Sequence, residues 1–249
     1  MSRREGVQNV LILIAAVLIL WQGVYWLVGN VALTSPVETL LKLGALLSTD
    51  WFWGDVLESL RAMTIASLIV AVAGALIGII LGLHRLSADV AEPIIVTLYS
   101  IPKVTLYPIV LLIFGLTASA RIAFGVMHGV LPLTLFTMAA IQNVSPVLVR
   151  SALVMHLTRR EIVRRVVVPA ALPGIVTGLR IGVSVTILGV LLGEMFASKK
   201  GLGFRLMNGI QNNDAPTIMA IAVLLSAFAL TVNSLLLLLA VRQRTRVAP

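Results

Sequence analysis

Six long apolar stretches constrain this chain more than any other feature of its sequence. Each contains 19 to 24 residues, and they are Val10–Val28, Ala62–Leu83, Pro93–Leu116, Ile122–Gln142, Ile175–Phe196 and Thr217–Ala240. About 20 apolar residues at about 1.5 Å rise per residue span the hydrocarbon core of a bilayer. The stretches are too long and too uniformly apolar for barrel strands. We therefore predict an all-α polytopic membrane protein with about six transmembrane helices.

The segments between these helices leave little room for a soluble domain. The two longest, residues 29–61 and 143–174, hold about 32 residues each, which is below the usual size of an independent domain. No lysine in the chain directly follows a glycine, so the phosphate-binding loop G-x-x-x-x-G-K-[ST] is absent. We predict a single transmembrane domain over residues 1–249, with no cofactor and no enzymatic activity of its own.

The distribution of Lys and Arg predicts the sidedness of the helices. With the N-terminus inside, 11 of these residues are cytoplasmic: Arg3, Arg4, Arg85, Arg150, Arg159, Arg160, Arg164, Arg165, Arg242, Arg244 and Arg246. Six are external: Lys42, Arg61, Arg121, Lys199, Lys200 and Arg205. Such a bias predicts that both termini are cytoplasmic and that Trp21, Trp26, Trp51 and Trp53 form an outer aromatic belt. The formal charge of +9 then reflects topology, and nucleic-acid binding is not expected.

Several local patterns refine this picture. The sequence Ser35-Pro36-Val37-Glu38 is a capping box that predicts a short helix on the outer interface. Glycines four residues apart, at 74, 78 and 82 and again at 174, 178 and 182, predict closely packed helix faces. Packing within the chain, a subunit interface and a substrate path all remain open for these faces.

Three charged residues within the apolar stretches are candidates for a translocation path: Lys103, Arg180 and Glu194. Lys103 lies between Pro102 and Pro108, and prolines in a membrane helix free carbonyl groups that need partners in protein or in a watery cavity. A helix that lines a path would have this pattern. A simple kink, with Lys103 extended to an interface, explains it equally well.

The polar segment at 143–173 contains two predicted helix starts. Ser145-Pro146 is an N-cap followed by proline in the first turn, and Thr158-Arg159-Arg160-Glu161 is a capping box. Pro169 and Pro173 are expected to end the second helix. Seven apolar side chains lie among the arginines: Val147, Leu148, Leu153, Val154, Val163, Val166 and Val167. This loop is too apolar to be merely solvated and should pack against something.

The order and spacing of several short motifs resemble a known family, the inner-membrane permeases of binding-protein-dependent ABC importers of the nitrate/sulfonate/taurine type. The motifs are Ser59-Leu60-Arg61, Ile101-Pro102-Lys103, Phe114-Gly115, Val168 to Pro173, Gly178-Leu179-Arg180, Glu194-Met195 and Gly201-Leu202-Gly203. The family's cytoplasmic loop usually reads Glu-Ala-Ala, three residues, Gly, nine residues, then hydrophobic-x-hydrophobic-Pro. Here the spacing is kept, but Arg150, Ser151 and His156 replace the Glu, the first Ala and the Gly.

The resemblance implies a type I ABC importer permease that moves a small solute inward across the bacterial inner membrane. Lys103 and Arg180, the two cations within the apolar stretches, favour an anionic solute that is sulfonate- or carboxylate-like. The resemblance also implies cytoplasmic ATPase subunits that hold ATP and magnesium, an external solute-binding protein, and a second copy of this chain or a related permease. The loop would form the coupling helix that docks on the ATPase. Its expected contact residues are Arg150, Ser151, Ala152, Leu153, Val154, His156, Leu157, Thr158 and Arg159.

Other classes of protein fit the sequence less well. An intramembrane enzyme would need clustered catalytic groups or metal ligands, whereas His84, His128 and His156 are scattered. A helix-turn-helix DNA reader would not have membrane spans at both ends of its arginine-rich segment. An ion-coupled carrier or a channel is the main alternative, although the two halves of the chain show no visible repeat and only Glu194 is an acid near the end of a span.

Overall fold

The computed structural model describes residues 3–29 and 33–247, with side chains over 8–29 and 33–237. The side chains of Arg3, Arg4, Arg242, Arg244 and Arg246, which contribute to the predicted charge bias, lie outside these ranges. The helices are α1 Arg3–Val28, α2 Pro36–Leu47, α3 Asp50–Gly82, α4 Arg85–Ser100, α5 Tyr107–Phe114, α6 Ala118–Gln142, α7 Pro146–Val154, α8 Arg159–Ile162, α9 Val168–Ala197, α10 Leu202–Gln211 and α11 Ala215–Val247. A 3₁₀ turn at Lys103–Leu106 precedes α5, and a π-helical turn at Val163–Val167 joins α8 to α9. The all-α prediction is confirmed.

Five of these helices are long and apolar enough to cross a membrane, and a bent pair supplies a sixth candidate. The pair is α4 and the segment Lys103–Phe114, with 82° between their axes. The bend lies at Ile101-Pro102, where Ile101 has an extended backbone because a following proline disfavours the helical region. The prediction of about six spans is confirmed. Of the two prolines expected to interrupt the third span, Pro102 lies at the bend, whereas Pro108 lies in the first turn of α5.

The direction of α6 shows why the bent pair crosses the bundle. A Cβ added to Gly74 would lie 3.0 Å from the side chain of Leu133, and one added to Gly82 would lie 2.9 Å from that of Ile141. Both α3 and α6 therefore run in the same direction while in close contact. The chain must return from one end of the bundle to the other between them, and α4 and α5 are the elements that do so.

Helix α9 packs antiparallel to α6, so that α3, α6 and α9 form the core of the bundle. A Cβ added to Gly178 would lie 2.5 Å from that of Phe136, whereas one added to Gly193 would lie 3.0 Å from that of Arg121. The two predicted glycine faces thus pack inside the chain, where the small residues allow backbones to approach. Helix α11 covers this core with Phe228, Val232 and Leu236.

One prediction about α9 is wrong, because Pro169 and Pro173 do not end a helix. Pro169 lies in the first turn of α9 and Pro173 lies within it. The π-helical turn before them closes with the Val168 N–H donating to the carbonyl of Val163. This wider turn lies where the ring of Pro169 would otherwise clash with the carbonyl four residues earlier. The chain consequently stays helical from Arg159 to Ala197.

The predicted short helix is α2, and its capping box is present. The Glu38 N–H donates to the Ser35 hydroxyl at 3.2 Å, and the Ser35 N–H donates to the Glu38 carboxylate at 3.4 Å. Trp21 ties α1 to this region, since its Nε1 donates to the carbonyl of Thr34 at 3.0 Å. Helices α1 and α2 thus meet at the end of the bundle that also holds residues 198–214, which we call the tryptophan end. The end that holds residues 143–167 is the arginine end.

Candidate functional site

The loop at the arginine end begins with α7, which closes in a Schellman motif. The His156 N–H donates to the carbonyl of Leu153 at 3.0 Å, and the Leu157 N–H donates to the carbonyl of Ala152 at 3.2 Å. This pair of bonds requires a left-handed residue after the helix, usually glycine. His156 has a φ of 58° and lies at the position where the resembling family has its Gly. The turn therefore lies where the family spacing places it, but histidine adopts its left-handed backbone conformation less readily than glycine does.

Helix α8 follows with the predicted capping box. The Thr158 hydroxyl donates to the Glu161 carboxylate at 2.9 Å, and the Thr158 N–H donates to the same oxygen at 3.1 Å. Glu161 also forms a salt bridge of 3.7 Å with Arg165 one turn later. Helix α8, the π-helical turn and α9 are continuous, so the loop is joined without a break to a core helix of the bundle.

An apolar cluster holds the inner side of the loop against the bundle. Ala152, Ile162 and Val167 are buried there together with Ile141 of α6 and Ala171 of α9. The outer side of α7 is exposed and carries apolar side chains beside the polar Ser151. The exposed fractions are 67% for Val147, 79% for Val154 and 71% for Met155. The loop is thus anchored on one side and offers an uncovered apolar surface on the other.

The nine predicted ATPase contacts fall on different sides of this loop. Ala152 is buried and Leu157 is half-buried in the apolar cluster, whereas Arg150, Leu153 and Arg159 line a cleft on the side facing α3 and α4. The remaining four are exposed, and they are Ser151, Val154, His156 and Thr158. The structure brings the nine together in one loop but not on a single face.

Two of the three candidate path residues, Arg180 and Lys103, each donate to one neighbouring residue. Arg180 donates from Nε and Nη2 to the Asn233 side-chain oxygen, at 3.2 and 3.0 Å, and so joins α9 to α11. Lys103 is half-buried at the bend, where its Nζ donates to the carbonyl of Tyr99 at 3.0 Å and lies 4.2 Å from the centre of that ring. Arg180 lies 14 residues before the third candidate on the same helix, about 21 Å away, so these two do not share a site.

That third candidate, Glu194, is fully buried in a polar cluster at the tryptophan end. Its carboxylate accepts the Ser59 hydroxyl at 2.7 and 2.9 Å and the Gly203 N–H at 3.0 Å. Arg121, only 7% exposed, places Nη1 at 3.6 Å from the same carboxylate. A buried charge needs such a set of partners. Glu194 is accordingly a structural centre of this end of the bundle.

The same cluster fixes the segment that connects α9 to α10. The Gly201 N–H donates to Asp55 at 2.8 Å, and the Leu202 N–H donates to the Ser59 hydroxyl at 2.8 Å. Arg121 also contacts Glu58 at 2.9 Å, and Arg205 pairs with Asp55. We call Asp55, Ser59, Arg121 and Glu194 the polar cluster. It joins α3, α6, α9 and the start of α10.

Sequence reasoning missed three members of this cluster. Asp55 and Ser59 lie four residues apart before the apolar stretch of α3, so they share a helix face. Two polar residues on one face were the available indication of a polar contact there. Arg121 was assigned only to the external charge count. Among the described residues, no three His, Asp or Glu side chains are arranged to hold a metal ion.

Comparison with known proteins gives the family. The profile of the binding-protein-dependent transport system inner membrane component matches residues 72–248. A protein of Brucella melitensis biotype 1, named as a probable ABC transporter permease, is 29% identical over 84% of this chain and 85% of its own length. The SsuC protein of Bacillus subtilis strain 168, named for aliphatic sulfonates transport, is 26% identical over 88% of this chain and 80% of its own length. The TauC taurine transport permease of Escherichia coli K12 is 28% identical over 73% of this chain and 70% of its own length.

A solved structure shows the same fold. A chain of the MetNI methionine ABC transporter in an inward-facing conformation matches with a TM-score of 0.65 at 22% identity, over 80% of this chain and 97% of that one. The predicted type I importer permease fold is thereby confirmed. Since the family profile covers well over half of the sequence, this chain belongs to the family of inner-membrane components of binding-protein-dependent transport systems.

Proposed function

We propose that this chain is the permease of an importer that is driven by ATP hydrolysis on separate subunits, which dock on the loop at 143–173. The observation that carries the proposal is the exposed apolar side of α7, next to a turn that is continuous with α9. Closure of two ATPase subunits would move α7, and the unbroken helix from Arg159 to Ala197 would pass that movement to the core. ATP and magnesium belong to the partner, and this chain holds neither.

The docking surface can be tested with charges on the exposed side of α7. The variant Val154→Asp/Met155→Asp places two carboxylates in an apolar contact, where unpaired charges are costly. We expect it to insert normally while losing co-purification of the ATPase and ATP-dependent uptake. These two side chains are exposed, whereas Leu157 belongs to the apolar cluster, and its substitution would disturb the fold of the loop.

A matched control is Val37→Asp/Leu40→Asp on α2, whose side chains are 66% and 61% exposed at the tryptophan end. This control should keep the ATPase bound. Full retention of the ATPase and of uptake in the Val154/Met155 variant would contradict this docking surface. Uptake by wild type that needs neither ATP nor a bound ATPase would instead favour an ion-coupled carrier.

The proposed solute is a small anion, sulfonate- or carboxylate-like. Lys103 supports this, because it is a cation half-buried at the bend of a membrane-crossing segment, and relatives are named for aliphatic sulfonates and taurine. We expect Lys103→Gln to slow uptake of a sulfonate by about tenfold or more, since a lost charged contact contributes about 1.5–3 kcal/mol. Arg180→Gln is the comparison, because Asn233 already pairs with that guanidinium. Equal uptake by wild type and Lys103→Gln would remove Lys103 from the path.

The remaining partners follow from the family. In the proposed orientation the tryptophan end faces outward and receives a solute-binding protein, and two permeases, identical or related, enclose the path. Both termini then lie in the cytoplasm of a bacterium whose inner membrane holds the complex.

A further inference from the structure

A large basic cleft lies at the arginine end, between the loop at 143–173 and the connection from α3 to α4. Its volume is about 1380 Å³. Five arginines line it: Arg85, Arg150, Arg159, Arg160 and Arg164. Asp89 is the one acidic residue in the lining. The cleft therefore carries a formal excess of four positive charges.

These five guanidinium groups have no protein partner within the described part of the chain. None of them forms a salt bridge or a side-chain hydrogen bond there, whereas Arg165 pairs with Glu161, Arg180 with Asn233 and Arg205 with Asp55. Like charges collected around one cavity repel each other. An anion inside the cleft would relieve this repulsion, and guanidinium groups suit phosphate because they can donate two parallel hydrogen bonds.

Apart from His84, Gln142 and Asn143, the rest of the lining is apolar, and it includes Val144, Val149 and Leu153. On α4, beside the cleft, Leu86 is 77% exposed. A free inorganic anion would make no use of these surfaces. A ligand with both a phosphate group and a hydrocarbon portion matches the whole lining.

The position of the cleft along the bundle axis also favours a ligand with a phosphate group and a hydrocarbon portion. Gly82 ends α3 and Gln142 ends α6, and both line the cleft. The cleft therefore lies where two apolar spans reach the membrane surface, which is the level of lipid headgroups. Basic pockets between helices at the cytoplasmic surface are typical sites for anionic headgroups.

We propose that this cleft binds the headgroup of an anionic phospholipid, with the phosphate among Arg85, Arg160 and Arg164. The site lies beside the exposed side of α7 on which the ATPase is proposed to dock. It shares Arg150, Leu153 and Arg159 with the nine predicted ATPase contacts, but it uses the side of α7 that faces α3 and α4 and leaves Val154 and Met155 free. The lipid would bridge the α3–α4 connection to α8 and the π-helical turn. The inference goes beyond the proposed import function and does not depend on which solute is carried.

The test is lipid binding to the purified full-length chain, measured by native mass spectrometry in detergent. Phosphatidylglycerol is compared with phosphatidylcholine of the same acyl chains, and inorganic phosphate is a third probe. We expect wild type to prefer phosphatidylglycerol. The variant Arg85→Gln/Arg160→Gln/Arg164→Gln should bind it about a hundredfold more weakly, with phosphatidylcholine unaffected. All three side chains are exposed, so the fold should be kept.

The matched control removes three positive charges elsewhere, in Arg165→Gln/Lys199→Gln/Lys200→Gln, and should bind phosphatidylglycerol as wild type does. If phosphatidylglycerol binding weakened equally in both variants, the loss of net positive charge alone would explain the weakening, and the proposal would be overturned. Displacement of the lipid by equimolar inorganic phosphate would assign the cleft to a soluble anion. If the Arg85/Arg160/Arg164 variant bound lipid as wild type does but no longer co-purified with the ATPase, the cleft would belong to the ATPase dock and the lipid proposal would be wrong.

A second measurement uses wild type alone and does not depend on the variants being stable. Added NaCl should abolish the preference for phosphatidylglycerol, because exposed charges are screened at high ionic strength. A preference that does not change with salt would also contradict the proposal.

Discussion

His156 holds a backbone conformation that its side chain disfavours. Its φ of 58° closes the turn after α7, and a residue with a Cβ costs about 1–2 kcal/mol there relative to glycine. The residues around it leave no alternative, since both bonds of the Schellman motif depend on this φ. The turn therefore retains strain that a single substitution can remove.

We expect His156→Gly to stabilise the loop by about 1 kcal/mol, which slows amide hydrogen exchange over residues 152–158 by about fivefold. Met155→Gly is the control, because Met155 has a φ of −77° and gains nothing from glycine. It should speed exchange instead. Faster exchange in His156→Gly would show that the imidazole makes a contact that stabilises the turn.

Glu194 is the residue on which the polar cluster depends. Glu194→Ala would remove the acceptor for the Ser59 hydroxyl and the Gly203 N–H and the negative charge beside Arg121. Breaking a buried charged pair typically lowers the free energy of unfolding by about 3–5 kcal/mol. We expect a large fall in the temperature at which the detergent-solubilised protein aggregates. Glu194→Gln retains one acceptor oxygen and should lose less.

Glu92→Ala removes an exposed carboxylate from α4 and serves as the control for the loss of one negative charge. If Glu194→Ala were as stable as Glu92→Ala, the cluster would not hold the α9–α10 connection.

At the scale of elements, Asp214 joins α2 to α11 at the tryptophan end. It caps α11 by accepting the Thr217 N–H at 3.1 Å, and it also accepts the Thr217 hydroxyl. Lys42 of α2 lies 3.7 Å from its carboxylate. Burial alone would raise the pKa of Asp214, but the bonds from Thr217 and the charge of Lys42 outweigh it and leave the pKa below its ordinary value.

A lowered pKa in the folded state means that ionised Asp214 stabilises the fold above the pKa of the unfolded chain, about 3.9. This stabilisation is lost as the pH falls through the lower, folded value. We expect wild type to melt at a higher temperature than Asp214→Asn by a constant margin above about pH 5, and the margin to disappear only below about pH 4. A margin that stayed constant from about pH 6 down to about pH 2 would exclude the carboxylate as its source.

At the scale of the whole molecule, the parallel packing of α3 and α6 requires that α4 and α5 together cross the membrane. Reporter fusions can test this crossing and the predicted orientation together. We expect fusions after Trp53 and after Thr117 to report the outside, and fusions after Leu83 and after Pro249 to report the cytoplasm. Fusions after Leu83 and Thr117 on the same side would mean that the bent pair turns back. Fusions after Trp53 and Pro249 on the same side would overturn the six-span topology.

The sequence alone determined most of the elements, because their causes are local. The length of each apolar stretch set the spans, and two capping boxes, at Ser35–Glu38 and Thr158–Glu161, set the starts of α2 and α8. Pro102 set the position of the bend. Each of these is an interaction between residues within a few turns of each other, so it can be read from spacing. The turn near His156, between two helix starts, belongs to the same class.

Only the tertiary structure decided which distant residues become neighbours, because the spacing of residues along one helix does not carry that information. Pro169 and Pro173 remain in a helix because a π-helical turn and the packing of Ala171 against α6 accommodate them. Ser59 and Glu194 are 135 residues apart in sequence and are brought together by the antiparallel packing of α3 and α9. The arginine cleft likewise needs the α3–α4 connection beside the loop. Burial and partners of a charged residue depend on which helices become neighbours, and that is fixed only when the glycine faces of α3 and α9 close on α6.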